Sequence, residues 1–191
     1  MKRRKLFVEK GIFTGFLVNS TMWLIHQTTL SGLRRILKDG YIHPAAKTGN
    51  DRSDVKLKEV YMSVLFDDMT VDGQGGSVDI LMFFPLDIMK RHRPVHWTPT
   101  WSYGEVDDDT IAYVPSKSPS ENVRRWHSVF RDIHSRKSDF LYSKGKNEVV
   151  FSESIPIEEV AFIYLRKDVS VPFDVPKRID TKQKLNREIS G

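Results

Sequence analysis

Apolar and polar positions along this chain follow two different periods, and the change from one to the other marks its elements. Met22-Trp23-Leu24-Ile25 is a short unbroken apolar run and predicts a buried strand, closed by the polar turn His26-Gln27-Thr28-Thr29. Leu30, Leu33, Ile36 and Leu37 then recur at helical spacing and predict a helix with one apolar face. Thr28 or Thr29 supplies its N-cap, because a Thr hydroxyl accepts from an orphan N–H of the first turn. Gly40 stops the helix where a left-handed residue is needed, and Tyr41-Ile42 follows.

Beyond a polar loop over 45–58, the pattern turns β-like. Val60-Tyr61-Met62-Ser63-Val64-Leu65 reads as a strand, Asp72-Gly73-Gln74-Gly75-Gly76 as a turn, and Val78 through Phe84 as a strand apolar on both faces. Leu86-Asp87-Ile88-Met89 predicts a single helical turn, His92 to Gly104 an irregular stretch with Pro94 and Pro99, and Thr110 to Val114 a short strand. Ser118-Pro119-Ser120-Glu121 opens a second helix whose buried stripe is Val123, Trp126, Val129, Phe130 and Ile133. Lys144 to Asn147 is a turn, Glu148-Val149-Val150-Phe151 a strand, Ile155 to Glu159 a turn, and Val160 to Leu165 the last strand. After Arg166 the chain is polar, contains Pro172 and Pro176, and is expected to be partly ordered at best.

A few helices among many short strands predict an α+β single domain with a mixed, mostly antiparallel sheet. The expected organisation is a basic segment over 1–20, a folded domain over 21–165 and a polar tail over 166–191. A length of 191 residues is enough to bury one sizeable core. The net charge of +5 is unevenly placed. Residues 1–58 hold 12 Lys/Arg against 4 Asp/Glu, 59–110 hold 3 against 10, and 111–191 hold 15 against 11. With a pI of about 9.3, this balance permits an anionic partner such as nucleic acid or a dinucleotide.

Several chemistries drop out. There is no cysteine, which removes thiol nucleophiles, disulfides and cysteine-ligated metals. No GxGxxG follows a strand, no GxxxxGK[ST] occurs, and no GxSxG elbow is present, so Rossmann, P-loop and serine-hydrolase sites are not expected. His92 and His96 are separated by Pro94 and lack a completing carboxylate, so no metal site is expected. No run of about 20 apolar residues exists to span a membrane. Glu9 and Lys10 interrupt the one stretch that imitates a signal peptide, which points to an intracellular, cytoplasmic protein.

One constellation fits a single reaction. His26-Gln27-Thr28 ends one strand, Tyr61 and Ser63 lie on a second, and Glu148 opens a third. Cleavage of an N-glycosidic bond such as nicotinamide–ribose passes through an oxocarbenium-like centre. It needs a carboxylate near the ribose to stabilise developing positive charge. It also needs an aromatic face for the flat base, and hydrogen-bonding groups for the second ribose.

These residues resemble the ADP-ribosyltransferase superfamily. His26-Gln27-Thr28, then Leu33, Ile36-Leu37, Gly40 and Ile42, is similar to its opening H-x-T strand end and "L..IL..G.L" helix. Val60-Tyr61-Met62-Ser63 looks like its middle Tyr/Ser strand, and Asn147-Glu148-Val149-Val150-Phe151 like its late Glu strand. Ser154 through Leu165 is similar to the ending of the DarT-like DNA ADP-ribosyltransferases. The resemblance runs in patches from about Trp23 to Leu165.

What the resemblance implies is a split-sheet ADP-ribosyltransferase-like fold and NAD as co-substrate, with no metal. His26 would contact the adenosine ribose, with Gln27, Thr28 and Gly40 of the same motif. Tyr61 would stack on nicotinamide with Ser63 on the same strand, either of which can hold the middle-motif position. Glu148 would be the catalytic residue. Residues 139–147, including Lys146 and Asn147, would present the acceptor. Lys146 stands where arginine-modifying members carry Gln or Glu, which speaks against an arginine acceptor. DNA or RNA is then favoured slightly over protein.

Two other readings share these residues. A tRNA 2′-phosphotransferase-like enzyme would also use NAD and would hold a phosphate with Arg34, Arg35 and Arg52. A basic nucleic-acid-binding module without activity would stack bases on Trp97, Trp101, Tyr103 and Trp126.

Overall fold

The computed structural model describes residues 22–44, 59–66, 80–99, 110–136, 147–165 and 170–190. The expectations for the basic segment 1–20, the loop 45–58 and the Gly-rich turn 72–76 lie outside these residues, as do Arg52, Trp101, Tyr103 and Lys146.

The first strand, β1 (Trp23–Thr28), is longer than its apolar run. It continues through His26-Gln27-Thr28 because β4 (Ile80–Pro85) pairs with it along its whole length, from Trp23 opposite Pro85 to Thr28 opposite Ile80. α1 (Leu30–Asp39) follows directly. Thr29, not Thr28, is its N-cap, and its hydroxyl accepts from the Gly32 N–H at 3.2 Å. Gly40 ends the helix at φ 76°, in the left-handed region, with its N–H donating to the Ile36 carbonyl at 2.8 Å. Leu33 and Ile36 are buried, while Arg34, Arg35 and Lys38 are exposed, so the helix lays one face on the sheet.

Among the described residues the main sheet has eight strands. Their order is β10 (Arg178–Ile179), β9 (Phe162–Leu165), β4, β1, β3 (Val60–Leu65), β7 (Glu148–Phe151), β5 (Pro94–Thr98) and β6 (Ile111–Ala112). Every adjacent pair is antiparallel except β9 and β10, which are parallel. β2 (Tyr41–Ile42) and β8 (Ile155–Pro156) form a separate two-stranded ladder beside it. β4 lies between β1 and β9 with Ile80 through Phe84 all buried, as a strand apolar on both faces requires. The molecule is thus an α+β single domain.

The stretch 92–104, expected to be irregular, contains β5. Pro94 is its first residue, where a missing N–H costs no ladder bond, and the strand is held on one side by β7 and on the other by β6. α2 (Ile88–Arg91) precedes it. α3 (Pro119–Arg136) is opened by a reciprocal capping box. In that box the Glu121 N–H donates to Ser118 Oγ at 3.2 Å, and the Ser118 N–H donates to the Glu121 carboxylate at 2.8 Å. Val123, Trp126, Phe130 and Ile133 are buried, and Val129 packs at the edge of the core. Trp126 lies parallel to Trp97 of β5, with ring centroids 6.1 Å apart, so α3 covers the face of the sheet that carries Trp97.

The polar C-terminal segment is more structured than its composition implies. Its sparse apolar residues Val175, Ile179, Leu185 and Ile189 are all buried in the common core. β10 extends the sheet beyond β9, and α4 (Lys182–Ser190) follows. Lys177, at φ 52°, donates from Nζ to the carbonyls of Glu158 and Val160 at the end of the 3-10 turn Ile157–Glu159. Its ammonium thereby ties this segment to the start of β9. No helix among the described residues is long and apolar enough to cross a membrane.

Candidate active site

The register of three strands, β3, β7 and β5, collects side chains on the face opposite α3. Tyr61 on β3 pairs with Val150 on β7, and Val150 pairs with His96 on β5. One step along, Thr98 pairs with Glu148, and the same β3–β7 register carried one residue further sets Ser63 against Glu148. Paired residues on neighbouring strands share a face. Tyr61, Ser63, Glu148, His96 and Thr98 therefore share one face, while Met62, Val149 and Trp97 share the other, under α3.

The ladder between β1 and β3 ends at Ile25 opposite Ser63. Just beyond it, His26 reaches across: its Nδ1 is 3.1 Å from the Tyr61 carbonyl oxygen. A carbonyl only accepts, so Nδ1 carries the hydrogen and Nε2 is left as the ring's acceptor. Burial pushes this imidazole below its ordinary range and outweighs the opposing hydrogen bond to the Tyr61 carbonyl. Gln27 and Thr28 follow it, each partly buried. Thr28 also packs on α1, since a Cβ on Gly32 would fall 2.2 Å from its Oγ1. Glycine lets the helix approach Thr28 this closely without displacing its hydroxyl.

Tyr61 is half-buried, and its hydroxyl donates to Glu59 Oε2 at 3.1 Å. Burial pushes the phenol well above its ordinary range, and the charges of Glu59 and Glu148 push it the same way. Burial pushes His96 down, against the opposing charge of Glu59. Glu148 is buried at 8% exposure, in a cluster whose other members include a carboxylate and a phenol held neutral.

Two sequence expectations change. Asn147, expected on the acceptor-presenting segment, is wholly buried. Its Oδ1 accepts from the Val64 N–H at 3.0 Å and from Trp97 Nε1 at 3.2 Å, and its Nδ2 donates to the Val64 carbonyl at 3.0 Å. It pins the start of β7 to β3 and β5 and so sets where Glu148 emerges. Gly40 lies at the far end of the ten-residue α1, about 15 Å along the helix axis from Thr29. Its φ accounts for the glycine, and its carbonyl accepts from the Ile157 N–H at 2.9 Å. It stands at the opposite end of α1 from His26 and Thr28.

Glu59 and Thr98 are not among the sequence candidates, and His96 enters there only as one of the histidine pair weighed for a metal. Glu59 stands two residues before Tyr61, at the bend that precedes β3, where strand alternation gives no signal for its facing. His96 and Thr98 were masked by the prolines around β5. His92, the other member of the histidine pair, contacts Glu153 at 3.1 Å and Glu159 at 3.5 Å. Among the described residues no group of three His, Cys, Asp or Glu is placed to hold a metal.

The competing readings lose residues. Trp97 and Trp126 are fully buried against each other and present no face to a base. Arg34 and Arg35 are both exposed on the outer side of α1.

No family model matches the chain, and no curated protein matches it. Among solved structures it is similar to Thermus sp. 2.9 DarT in complex with carba-NAD+. The two are 11% identical with a TM-score of 0.48, over 77% of this chain and 83% of that one.

Proposed function

We propose that this protein is an NAD-dependent ADP-ribosyltransferase that cleaves the nicotinamide–ribose bond and passes ADP-ribose to a macromolecular acceptor. The observation that carries the reading is the placement of Glu148 at the start of β7, on the same face as Tyr61 and Ser63, with His26 bonded to the Tyr61 main chain where β1 and β3 part.

The chemistry follows from these groups. NAD, when bound, supplies the ADP-ribosyl group and a leaving base that departs neutral. The Tyr61 ring offers a face for nicotinamide. His26 Nε2 and the Thr28 hydroxyl, at the end of β1, are hydrogen-bonding groups for the adenosine ribose. The Glu148 carboxylate holds the nicotinamide ribose 2′-hydroxyl and stabilises the positive charge that grows as the C–N bond lengthens. The bonding pair leaves on nicotinamide, the acceptor's lone pair forms the new bond to the ribose carbon, and the acceptor's proton is released. The excess of 12 Lys/Arg over 4 Asp/Glu in residues 1–58 favours a polyanionic acceptor, DNA or RNA slightly before protein. We assign this activity to residues 21–165, with the segment after Leu165 as a structural edge.

The test is transfer from labelled NAD by the parent and by Glu148→Gln, followed by mass spectrometry of DNA, RNA and protein from the reaction. Loss of label by about 100-fold or more is expected in the variant. Equal transfer or hydrolysis by the two proteins would refute the assignment.

A further inference from the structure

Tyr61 is held at two points, its main chain and its hydroxyl. Its main chain is bonded by His26 on one side, and its hydroxyl donates to the Glu59 carboxylate at 3.1 Å. A phenol bonded to an ionised acceptor makes one of the stronger neutral-to-charged hydrogen bonds. Glu59 sits at the bend just before β3, two residues from Tyr61, and the hydrogen bond brings the two side chains together. Both residues are half-buried. Glu59 also acts electrostatically on His96 of β5, and Glu148 on Tyr61, so the carboxylate belongs to the same cluster. An aromatic side chain on a strand can turn about χ1 and χ2. The hydroxyl lies on the χ2 axis, so fixing it holds χ1 and sets where the ring projects from the strand.

We propose, resting on the transferase reading, that Glu59 is a positioning residue. Its carboxylate holds the Tyr61 side chain in the place where the ring meets the flat nicotinamide of NAD. Glu59 touches no reacting atom in this role. It acts through Tyr61, and its effect falls on substrate binding before any bond breaks. Removing it loosens the ring and weakens the ground-state complex, which raises KM and leaves kcat nearly unchanged.

The experiment compares Glu59→Leu, Glu59→Gln, Tyr61→Phe and the double variant Glu59→Leu/Tyr61→Phe. Each is measured by NAD turnover, by thermal melting, and by NMR of protein carrying 13Cζ-tyrosine. The Tyr61 signal is the one absent from Tyr61→Phe. Glu59→Leu and Tyr61→Phe are each expected to raise KM for NAD about tenfold. The double variant is expected to be no worse than either, since all three break the same bond. Glu59→Gln keeps an accepting oxygen and is expected to stay near the parent in KM, with its Tyr61 signal displaced less than that of Glu59→Leu. A parental KM in folded Glu59→Leu overturns the proposal, and so does a double variant whose losses multiply. A parent that neither binds nor cleaves NAD overturns the transferase reading and the positioning role together, whereas turnover by the parent with KM unmoved in Glu59→Leu overturns the positioning role alone.

Discussion

The His26 imidazole and the Tyr61 carbonyl oxygen are 3.1 Å apart, across the point where the β1–β3 ladder stops at Ile25 and Ser63. The bond does two things. It supplies a partner for a main-chain acceptor that the parting strands would otherwise leave short, and it settles which ring nitrogen carries the hydrogen. The imidazole has to be neutral for Nε2 to accept, and burial favours that state.

This makes His26 a source of pH-dependent stability with a definite sign. Its folded pKa lies below the unfolded value of 6.5, so in the window beneath 6.5 the unfolded chain binds more protons than the folded one. Stability is therefore complete above that window and is lost as pH falls through it. His96 shifts in the same direction and adds to the slope. Thermal melts at about pH 7.5 and about pH 5.5 are expected to show a larger drop in Tm for the parent than for His26→Gln, whose amide can still donate to Tyr61. Identical drops would mean that His26 is not the neutral buried group.

Gly32 tests the packing of Thr28. On an open helix surface Gly→Ala stabilises by about 1 kcal/mol. Here the added Cβ would lie 2.2 Å from Thr28 Oγ1, and relief requires the hydroxyl to turn away from its present position. Gly32→Ala is expected to forgo the gain in urea unfolding and to weaken NAD binding. In the Thr28→Ala background the same substitution is expected to recover about 1 kcal/mol. A full gain with Thr28 in place would show that the contact is not constraining.

The parts legible in the sequence are those whose signals are local. α1 announces itself through Leu33 and Ile36 at helical spacing, a Thr at its start and Gly40 at its end, and all three serve as that pattern implies. β5 was hidden because Pro94, Pro99 and His92 read as loop punctuation, and only pairing with β6 and β7 makes five residues a strand. The candidate site divides in the same way. Residue types at His26, Tyr61 and Glu148 could be read, but the facing of Tyr61 and Val150, which puts Glu148 beside Ser63, is a long-range register that no local pattern encodes. Asn147 shows the limit most clearly. Next to Glu148 and after a Lys/Gly turn it reads as exposed loop, yet its amide fills a gap between two strands and an indole.

That amide gives a third prediction. Asn147→Ala would leave the Val64 N–H, the Val64 carbonyl and Trp97 Nε1 without the partners they now have. Each buried group left unsatisfied costs about 1–3 kcal/mol, so a loss on the order of 3–5 kcal/mol is expected in urea unfolding. Asn147→Asp keeps the acceptor and loses the donor, and is expected to fall between. Because Glu148 is the next residue, both variants are also expected to lose turnover beyond what their melting temperatures explain. A loss under about 0.5 kcal/mol for Asn147→Ala would place it among ordinary surface substitutions.

The segment after Leu165 gives the last. Leu185 and Ile189 recur four residues apart on α4 and are buried at 5% and 3% exposure, while Ile179 of β10 is buried where that strand joins the sheet edge. Truncating a buried Leu removes its transfer free energy and leaves a cavity, together worth about 2–5 kcal/mol. Leu185→Ala is therefore expected to lower stability by an amount comparable to a core substitution such as Leu33→Ala, although it lies in a polar stretch of the chain. Lys177→Ala is expected to cost less, because its ammonium tethers the carbonyls of Glu158 and Val160 without filling the core. Chemical denaturation of the three variants separates the two possibilities. If Leu185→Ala is neutral while Leu33→Ala is not, the segment is an appendage to a domain that ends near Leu165. If the two match, the segment is part of the core, and deletions ending at Leu165 are expected to yield unfolded or insoluble protein.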